Sequence, residues 1–165
     1  IKSANFNDLE KASKIVNEAS SNNKKIIIVG NGGSAAISSH VAVDFTKAAG
    51  IRAINFNEAD LITCFANDYG YENWVSEALK SYADFGDVIV LISSSGESMN
   101  IINAANTARD MKNKILTFSG FSSSNPLRSL GDVNFWIDSR SYNYIEMTHH
   151  IWLVAICDYI ISVKS

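Results

Sequence analysis

Two uninterrupted apolar runs constrain the fold of this chain most strongly. One is KIIIV at residues 25–29 and the other is DVIVLI at residues 87–92. A strand with one face in water alternates apolar and polar side chains, whereas a strand covered on both faces does not. Both runs are short, and both end in loops rich in glycine or serine. They therefore predict central strands of a sheet that helices cover on both sides.

Segments with helical spacing of apolar residues alternate with these and other short apolar runs. We predict helices over 7–21, 34–49, 58–65, 72–83, 98–113 and 143–163, and further strands near 52–55, 115–118 and 133–137. Such alternation is typical of a parallel sheet wound on both sides. A length of 165 residues fits one domain. The prediction is a single three-layer, doubly wound α/β domain over residues 1–165.

The charge pattern argues against nucleic-acid and membrane partners. The formal net charge is −3 with scattered lysines and arginines, whereas a nucleic-acid-binding domain shows a basic patch or stripe. No apolar run approaches the roughly 18 residues that a membrane span needs. No signal peptide is recognised, and Cys64 and Cys157, both in apolar contexts, are predicted to be two buried, unpaired thiols. We therefore expect a cytoplasmic protein.

The low content of charged residues suggests self-association. Charged side chains make up 19% of the chain, so part of the surface is expected to be buried against other copies. A surface rich in serine and asparagine would give the same composition in a monomer.

The first candidate binding element is GNGGS at residues 30–34, directly after the first buried run. Glycine lets the backbone approach a ligand and tolerates positive φ. The amides at the start of the following helix favour an anion. The stretch also fits the dinucleotide pattern G-x-G-x-x-A, but that pattern requires an acidic residue at the end of the second strand. Because Glu58 comes late for that role, a nicotinamide cofactor is disfavoured.

The second candidate is SSSGES at residues 93–98, directly after the second buried run. Its hydroxyl and amide donors suit a phosphate, and the absence of lysine distinguishes it from a Walker loop. A serine-rich turn with a helix cap would account for this loop alone. Ligands of such sheets bind beyond the carboxyl ends of the strands, so two such loops at one edge predict phosphate binding.

Taken together, several stretches resemble the sugar isomerase (SIS) family, and within it the phosphoheptose isomerases. They are GNGGSAA, then His40, FANDYGYE at 65–72, GDVIVLISSSGES at 86–98, and an I-E-x-x-H segment at 145–149. The resemblance implies a five-stranded, flavodoxin-like parallel sheet. It also implies a homotetramer with sites between subunits, in which the N-terminal helix over 6–21 packs in the oligomer.

The resemblance further implies an aldose–ketose isomerase that interconverts sedoheptulose 7-phosphate and D-glycero-D-manno-heptose 7-phosphate through an enediol. The substrate-binding residues that it implies are Asn31, Gly32, Gly33, Ser34, Asn67, Asp68, Ser93, Ser94, Ser95 and Ser98. Such a reaction needs a base beside the carbonyl and an acid for the neighbouring carbon. Asp44 and Glu146 are the candidate bases, with a histidine as proton partner.

His40 and Asp44 are four residues apart on the helix that follows the glycine turn, so they share one face. The family has His and Glu there as metal ligands, the Glu being also the base. Elsewhere this chain departs from the family. Glu146 stands where Gln is usual, His149 falls on the family's first histidine, and Val154 replaces the second, catalytic histidine.

Two explanations of these departures compete. In the first, the site is rebuilt: residues 146, 150 and 154 share a helix face, so His150 lies one turn from the vacated position. The predicted metal is zinc, and its ligands would be His40, Asp44, Glu146 and His150, with Asp44, Glu146 and His150 catalytic. In the second, the domain only binds a sugar phosphate or a partner, as regulatory and replication-initiator-associated SIS proteins do. We favour the rebuilt site, although the sequence does not decide whether His149 or His150 faces it.

Overall fold

A computed structural model describes residues 6–164 and shows a five-stranded parallel sheet in that range. The strands are β1 (Ile26–Gly30), β2 (Ala53–Asn55), β3 (Val88–Ser93), β4 (Lys114–Ser119) and β5 (Val133–Trp136). Their order is β2-β1-β3-β4-β5, which is the flavodoxin-like order. The predicted fold class is confirmed.

Helices connect and cover these strands. They are α1 (Phe6–Ser21), α2 (Gly33–Lys47), α3 (Ala59–Tyr69), α4 (Trp74–Tyr82), α5 (Met99–Asp110) and α6 (Tyr142–Lys164). A short 3₁₀ helix at Pro126–Ser129 was not predicted. The predicted helix over 58–65 is also longer than expected, since α3 continues to Tyr69 and includes Asn67 and Asp68.

The apolar runs are uninterrupted because successive side chains enter two different cores. Ile26 and Ile28 pack with α1, α2 and α6 on one face of the sheet. Ile27 and Val29 pack with α4 and α5 on the other. All four side chains are fully buried, as expected for a strand covered on both faces.

The strand register brings the two candidate loops together. Gly30 at the end of β1 is paired with Ile92 of β3, and Ser93 with Ser119 of β4. The chain leaves β1 in one direction towards β2 and crosses back to β3 on the other side. Ligands of doubly wound sheets bind at such a switch point, and here the glycine turn and the serine loop border it.

Helix α1 packs against α6 of the same chain and buries Ala12 and Val16. Its predicted role in an oligomer stays a prediction. Cys157 is buried but Cys64 is exposed, and the structure shows no disulfide within 6–164. No helix in that range combines the length and apolarity that a bilayer crossing requires.

Candidate functional site

A small polar cavity of about 110 Å³ lies at the switch point of the sheet. Its wall comes from the glycine turn, the serine loop and the start of α6. The lining residues are Asn31, Ser34, Ile92, Ser93, Ser94, Ser95, Ser98, Tyr142 and Glu146. Five of the predicted substrate-binding serines and Asn31 therefore meet around one space.

The glycine turn brings the start of α2 to this cavity. Gly32 has φ 56°, a left-handed conformation that favours glycine. The Ser34 amide donates to Asn31 O at 3.0 Å and the Ala35 amide to Gly32 O at 3.0 Å, which closes the first turn. Positive φ at residue 32 thus allows α2 to begin directly after the strand.

The side chain of Asn31 is held by a reciprocal amide pair. Asn100 Nδ2 donates to Asn31 Oδ1 at 2.9 Å, and Asn31 Nδ2 donates to Asn100 Oδ1 at 3.0 Å. The Tyr71 hydroxyl adds a bond to Asn31 Oδ1 at 3.2 Å. Asn100 is buried, so the glycine turn is tied to the start of α5.

The serine loop is organised by its own hydroxyls. Ser93 Oγ donates to Ser98 Oγ at 3.0 Å and accepts from the Gly96 amide at 3.1 Å. Ser95 Oγ accepts from the Glu97 amide at 3.2 Å. These bonds fix the loop but leave the cavity open.

Ser94 differs from the other serines of the loop. It is 6% exposed, and its hydroxyl is buried without a hydrogen-bond partner among the described residues. Buried polar groups are normally paired, and Ser94 is one of the residues that line the cavity. A ligand oxygen in the cavity would supply the missing partner.

Glu146 connects the cavity to the first turn of α2. A Cβ atom at residue 33 would lie 2.6 Å from Glu146 Oε1, so the carboxylate occupies space that only glycine leaves open. Its negative charge lies at the amino-terminal end of α2, where the helix dipole favours an anion. No lysine or arginine is among the residues that line the cavity.

His40, Asp44 and His150 lie further along α2 and α6. His40 Nε2 is 3.1 Å from Asp44 Oδ2, as the four-residue spacing predicted. The His150 ring meets the His40 ring edge-on, with centroids 4.7 Å apart. Burial lowers the pKa of His150, and the neighbouring His40 lowers it further, whereas Asp44 opposes the shift.

The predicted metal ligands do not form a metal-binding group in this chain. His40, Asp44 and His150 are linked only pairwise, and Glu146 lies against Gly33 instead. No three His, Cys, Asp or Glu side chains within residues 6–164 are arranged to hold a metal ion. Within a single chain, the four predicted ligands therefore do not converge on one point.

The side chains of the two adjacent histidines lie in different environments. His149 is fully buried against the sheet, and its Nε2 lies 3.1 Å from Ser119 O. Burial lowers the pKa of His149 to about 4. His150 is the histidine that faces α2, and Val154 packs against the core at the position that the family gives to a histidine.

Asn67 and Asp68 are predicted substrate contacts that do not reach the cavity of this chain. Both are exposed on α3, and Asn67 Nδ2 donates to Asp68 Oδ1 at 2.9 Å. Sequence reasoning missed Asn100 and Tyr142. Asn100 follows Ser98 closely enough to have been suspected, whereas nothing in the sequence singled out Tyr142.

Comparisons with known proteins agree with this geometry. A family model described as SIS domain matches residues 1–120. The chain is 35% identical over 158 residues to a phosphoheptose isomerase of Aliarcobacter butzleri (strain RM4018), covering 92% of this chain and 83% of that protein. It is 30% identical over 116 residues to a phosphoheptose isomerase of Buchnera aphidicola subsp. Acyrthosiphon pisum (strain Tuc7), covering 70% of this chain and 60% of that protein.

A solved structure of a phosphoheptose isomerase from Neisseria gonorrhoeae superimposes with a TM-score of 0.87 at 28% identity, over 95% of this chain and 86% of that chain. The sequence comparison and the structure comparison thus both find phosphoheptose isomerases, and these matches cover most of this chain. The chain belongs to the SIS domain family and, within it, to the phosphoheptose isomerases.

Proposed function

We propose that this chain is a phosphosugar isomerase that interconverts sedoheptulose 7-phosphate and D-glycero-D-manno-heptose 7-phosphate. The observation that carries the proposal is the polar cavity at the switch point, which is lined by all five predicted substrate-binding serines and by Glu146. Both relatives named above are called phosphoheptose isomerases. A binding protein would need the serine loop but not the carboxyl and imidazole groups beside it.

The serine loop is the proposed phosphate site. Hydroxyls of Ser94, Ser95 and Ser98 line the cavity, and α5 begins directly after Ser98. Helix amino termini favour phosphate through their unpaired amides and dipole. Since no lysine or arginine is among the lining residues, neutral donors and helix ends would carry the binding.

The reacting carbons of a seven-carbon ester lie at the end opposite its phosphate. From the cavity, α2 and α6 run side by side, with Glu146 at Gly33 and His150 at His40 further on. A sugar anchored in the serine loop would therefore extend past Glu146 towards Asp44 and His150. These three residues are the proposed acid–base groups.

The proposed chemistry moves one proton between neighbouring carbons. A carboxylate, Glu146 or Asp44, takes the proton from the carbon beside the carbonyl and leaves an enediol. The proton is then delivered to the former carbonyl carbon, while a second proton passes between the two oxygens. The lowered pKa of His150 keeps its imidazole neutral near pH 7, so that it can both accept and donate a proton.

Zinc binding remains a prediction from the family resemblance, with His40, Asp44, Glu146 and His150 as its ligands. His40 and Asp44 are in contact, but the four side chains do not converge in one chain. Metal analysis of protein purified without chelators tests this prediction. Metal-free protein that isomerises the sugar would contradict it.

The oligomer is also part of the proposal. We expect a cytoplasmic homotetramer without nucleic-acid partners, in which the exposed Asn67 and Asp68 of one subunit reach the site of another. Helix α1 would pack in the same assembly. The exposure of the two side chains is what supports this assignment.

An isomerisation assay tests the proposed function. Wild type is expected to convert sedoheptulose 7-phosphate, and the double variant that combines Glu146→Gln with Asp44→Asn to lose most of that activity while still binding the ester. Ser95→Ala should weaken binding, whereas Ser123→Ala, at an exposed serine outside the serine loop, should not. Binding without turnover in the wild type would instead support a sugar-phosphate-binding protein.

A further inference from the structure

His149 is a buried imidazole that the proposed chemistry does not use. It is 0% exposed and packs near Phe118 and Trp152, with ring centroids 5.9 and 6.0 Å away. Buried histidine carries a cost of desolvation, and a purely apolar ring of similar size would fill the same space. Its polar contact therefore needs an explanation.

That contact is a hydrogen bond to the end of β4. His149 Nε2 lies 3.1 Å from Ser119 O. Because a carbonyl oxygen only accepts hydrogen bonds, Nε2 carries the hydrogen and donates it. The Ser119 carbonyl belongs to the same peptide group as the Gly120 amide.

The Gly120 amide in turn donates to Ser94 O at 2.9 Å. The oxygen of this peptide group accepts from His149 and also from the Ile137 amide, at 3.1 Å each, and its nitrogen donates to Ser94 O. Since a peptide group is planar and rigid, fixing its oxygen also fixes the direction of its N–H. The chain of contacts ends at Ser94, a residue that lines the cavity and whose buried hydroxyl has no partner among the described residues.

We propose that His149 is a positioning residue for the phosphate loop, acting through the Ser119–Gly120 peptide group on Ser94. This inference rests on the proposed function, because it takes the serine loop as the phosphate site. Other contacts hold the loop from within, through Ser93 and Ser95. The contact through Gly120 connects Ser94 to the end of β4, and His149 connects that point to α6.

Binding of inorganic phosphate, measured by titration calorimetry or NMR, separates positioning from packing. His149→Phe keeps a ring but loses the donor, and it should weaken phosphate binding by about tenfold, the equivalent of 1.4 kcal/mol. His149→Gln can still donate to Ser119 O and should recover most of the affinity. The matched control is Trp152→Phe, which alters the same core but removes an indole N–H that has no partner among the described residues.

Equal binding by His149→Phe and wild type would overturn the proposal, and so would equal weakening by Trp152→Phe. If His149→Phe does not fold, NMR of the wild type decides. The Gly120 amide and the His149 Nε2–H resonances should shift on saturation with phosphate, and unchanged resonances would refute the coupling. Wild type that binds neither phosphate nor sedoheptulose 7-phosphate would overturn the proposed function itself, a distinguishable result.

Discussion

At the residue scale, neighbouring serines of one loop have different roles. Ser93 pairs with Ser98 and with the Gly96 amide, so its hydroxyl supports the loop. The Ser94 hydroxyl supports nothing within the described chain. Side chains with the same chemistry therefore support the loop in one case and, in our proposal, bind the ligand in the other.

Replacing Ser94 by alanine should weaken binding without lowering stability. The hydroxyl forms no bond that unfolding would break, so the melting temperature should stay the same or rise slightly. A lost hydrogen bond to a charged phosphate is worth about 1.5–3 kcal/mol, which predicts at least a tenfold weaker affinity. Thermal unfolding with and without sedoheptulose 7-phosphate measures both effects. A destabilised variant with normal affinity would contradict this assignment.

His149 should make the free energy of unfolding depend on pH. Its pKa falls from 6.5 to about 4 on burial, so between these values the unfolded chain binds more protons than the folded one. Stability is therefore full above pH 6.5 and declines as the pH falls towards 4, by about 3 kcal/mol in total. Denaturant titrations at several pH values measure the slope. His149→Gln should have a smaller slope, and an equal slope would exclude His149 as its source.

At the element scale, the junctions of strands and helices build the site. The sequence predicted β1 and β3 because their alternate residues fill two cores, which leaves no polar positions. It also predicted that α2 and α5 begin at the two loops. The pair of Asn31 and Asn100 was not predictable, because the two residues are 69 positions apart and only the sheet register brings them together.

The end of α3 shows a different limit of sequence reasoning. The predicted helix over 58–65 stopped short of Asn67 and Asp68, but the helix continues to Tyr69 before Gly70 ends it. Asn67 and Asp68 thus lie on a helix surface. The different environments of His149 and His150 were not predictable either. Adjacent residues of a helix point in different directions, but the sequence does not say which of the two faces the core.

Gly33→Ala should impair activity more than stability. Alanine is favoured over glycine within a helix, but its Cβ would lie 2.6 Å from Glu146 Oε1 and displace that carboxylate. We expect at least a tenfold lower kcat/KM with little change in melting temperature. The measurement compares kcat/KM of Gly33→Ala with that of Glu146→Gln, which keeps the volume of the side chain but removes its charge. Full activity in Gly33→Ala would show that the position of Glu146 is unimportant.

At the scale of the whole molecule, α2 and α6 leave apolar side chains in solvent. Met147 and Ile151 are 54% and 42% exposed one turn apart on α6, and Val43 of α2 is 60% exposed. These helices pack against each other and carry the acid–base candidates. A second subunit that covered these apolar side chains would lie next to the acid–base candidates, in agreement with the predicted sites between subunits.

Met147→Lys should lower the oligomeric mass. The substitution places a charge where the predicted tetramer would bury an apolar side chain, and burying an unpaired charge is costly. Light scattering coupled to size-exclusion chromatography measures the mass. Phe85→Lys is the control, because Phe85 is equally apolar and 68% exposed but lies outside α2 and α6. A monomeric wild type would contradict the predicted assembly.

The central claim is that the cavity and the groups beside it move a proton between two carbons of a sugar phosphate. The most direct test is NMR of sedoheptulose 7-phosphate incubated with the wild type in D₂O. We predict formation of the aldoheptose 7-phosphate with deuterium at the carbon beside the new aldehyde, and loss of both signals in the double variant that combines Glu146→Gln with Asp44→Asn. Unchanged substrate without deuterium, under conditions in which the protein binds the ester, would contradict the account.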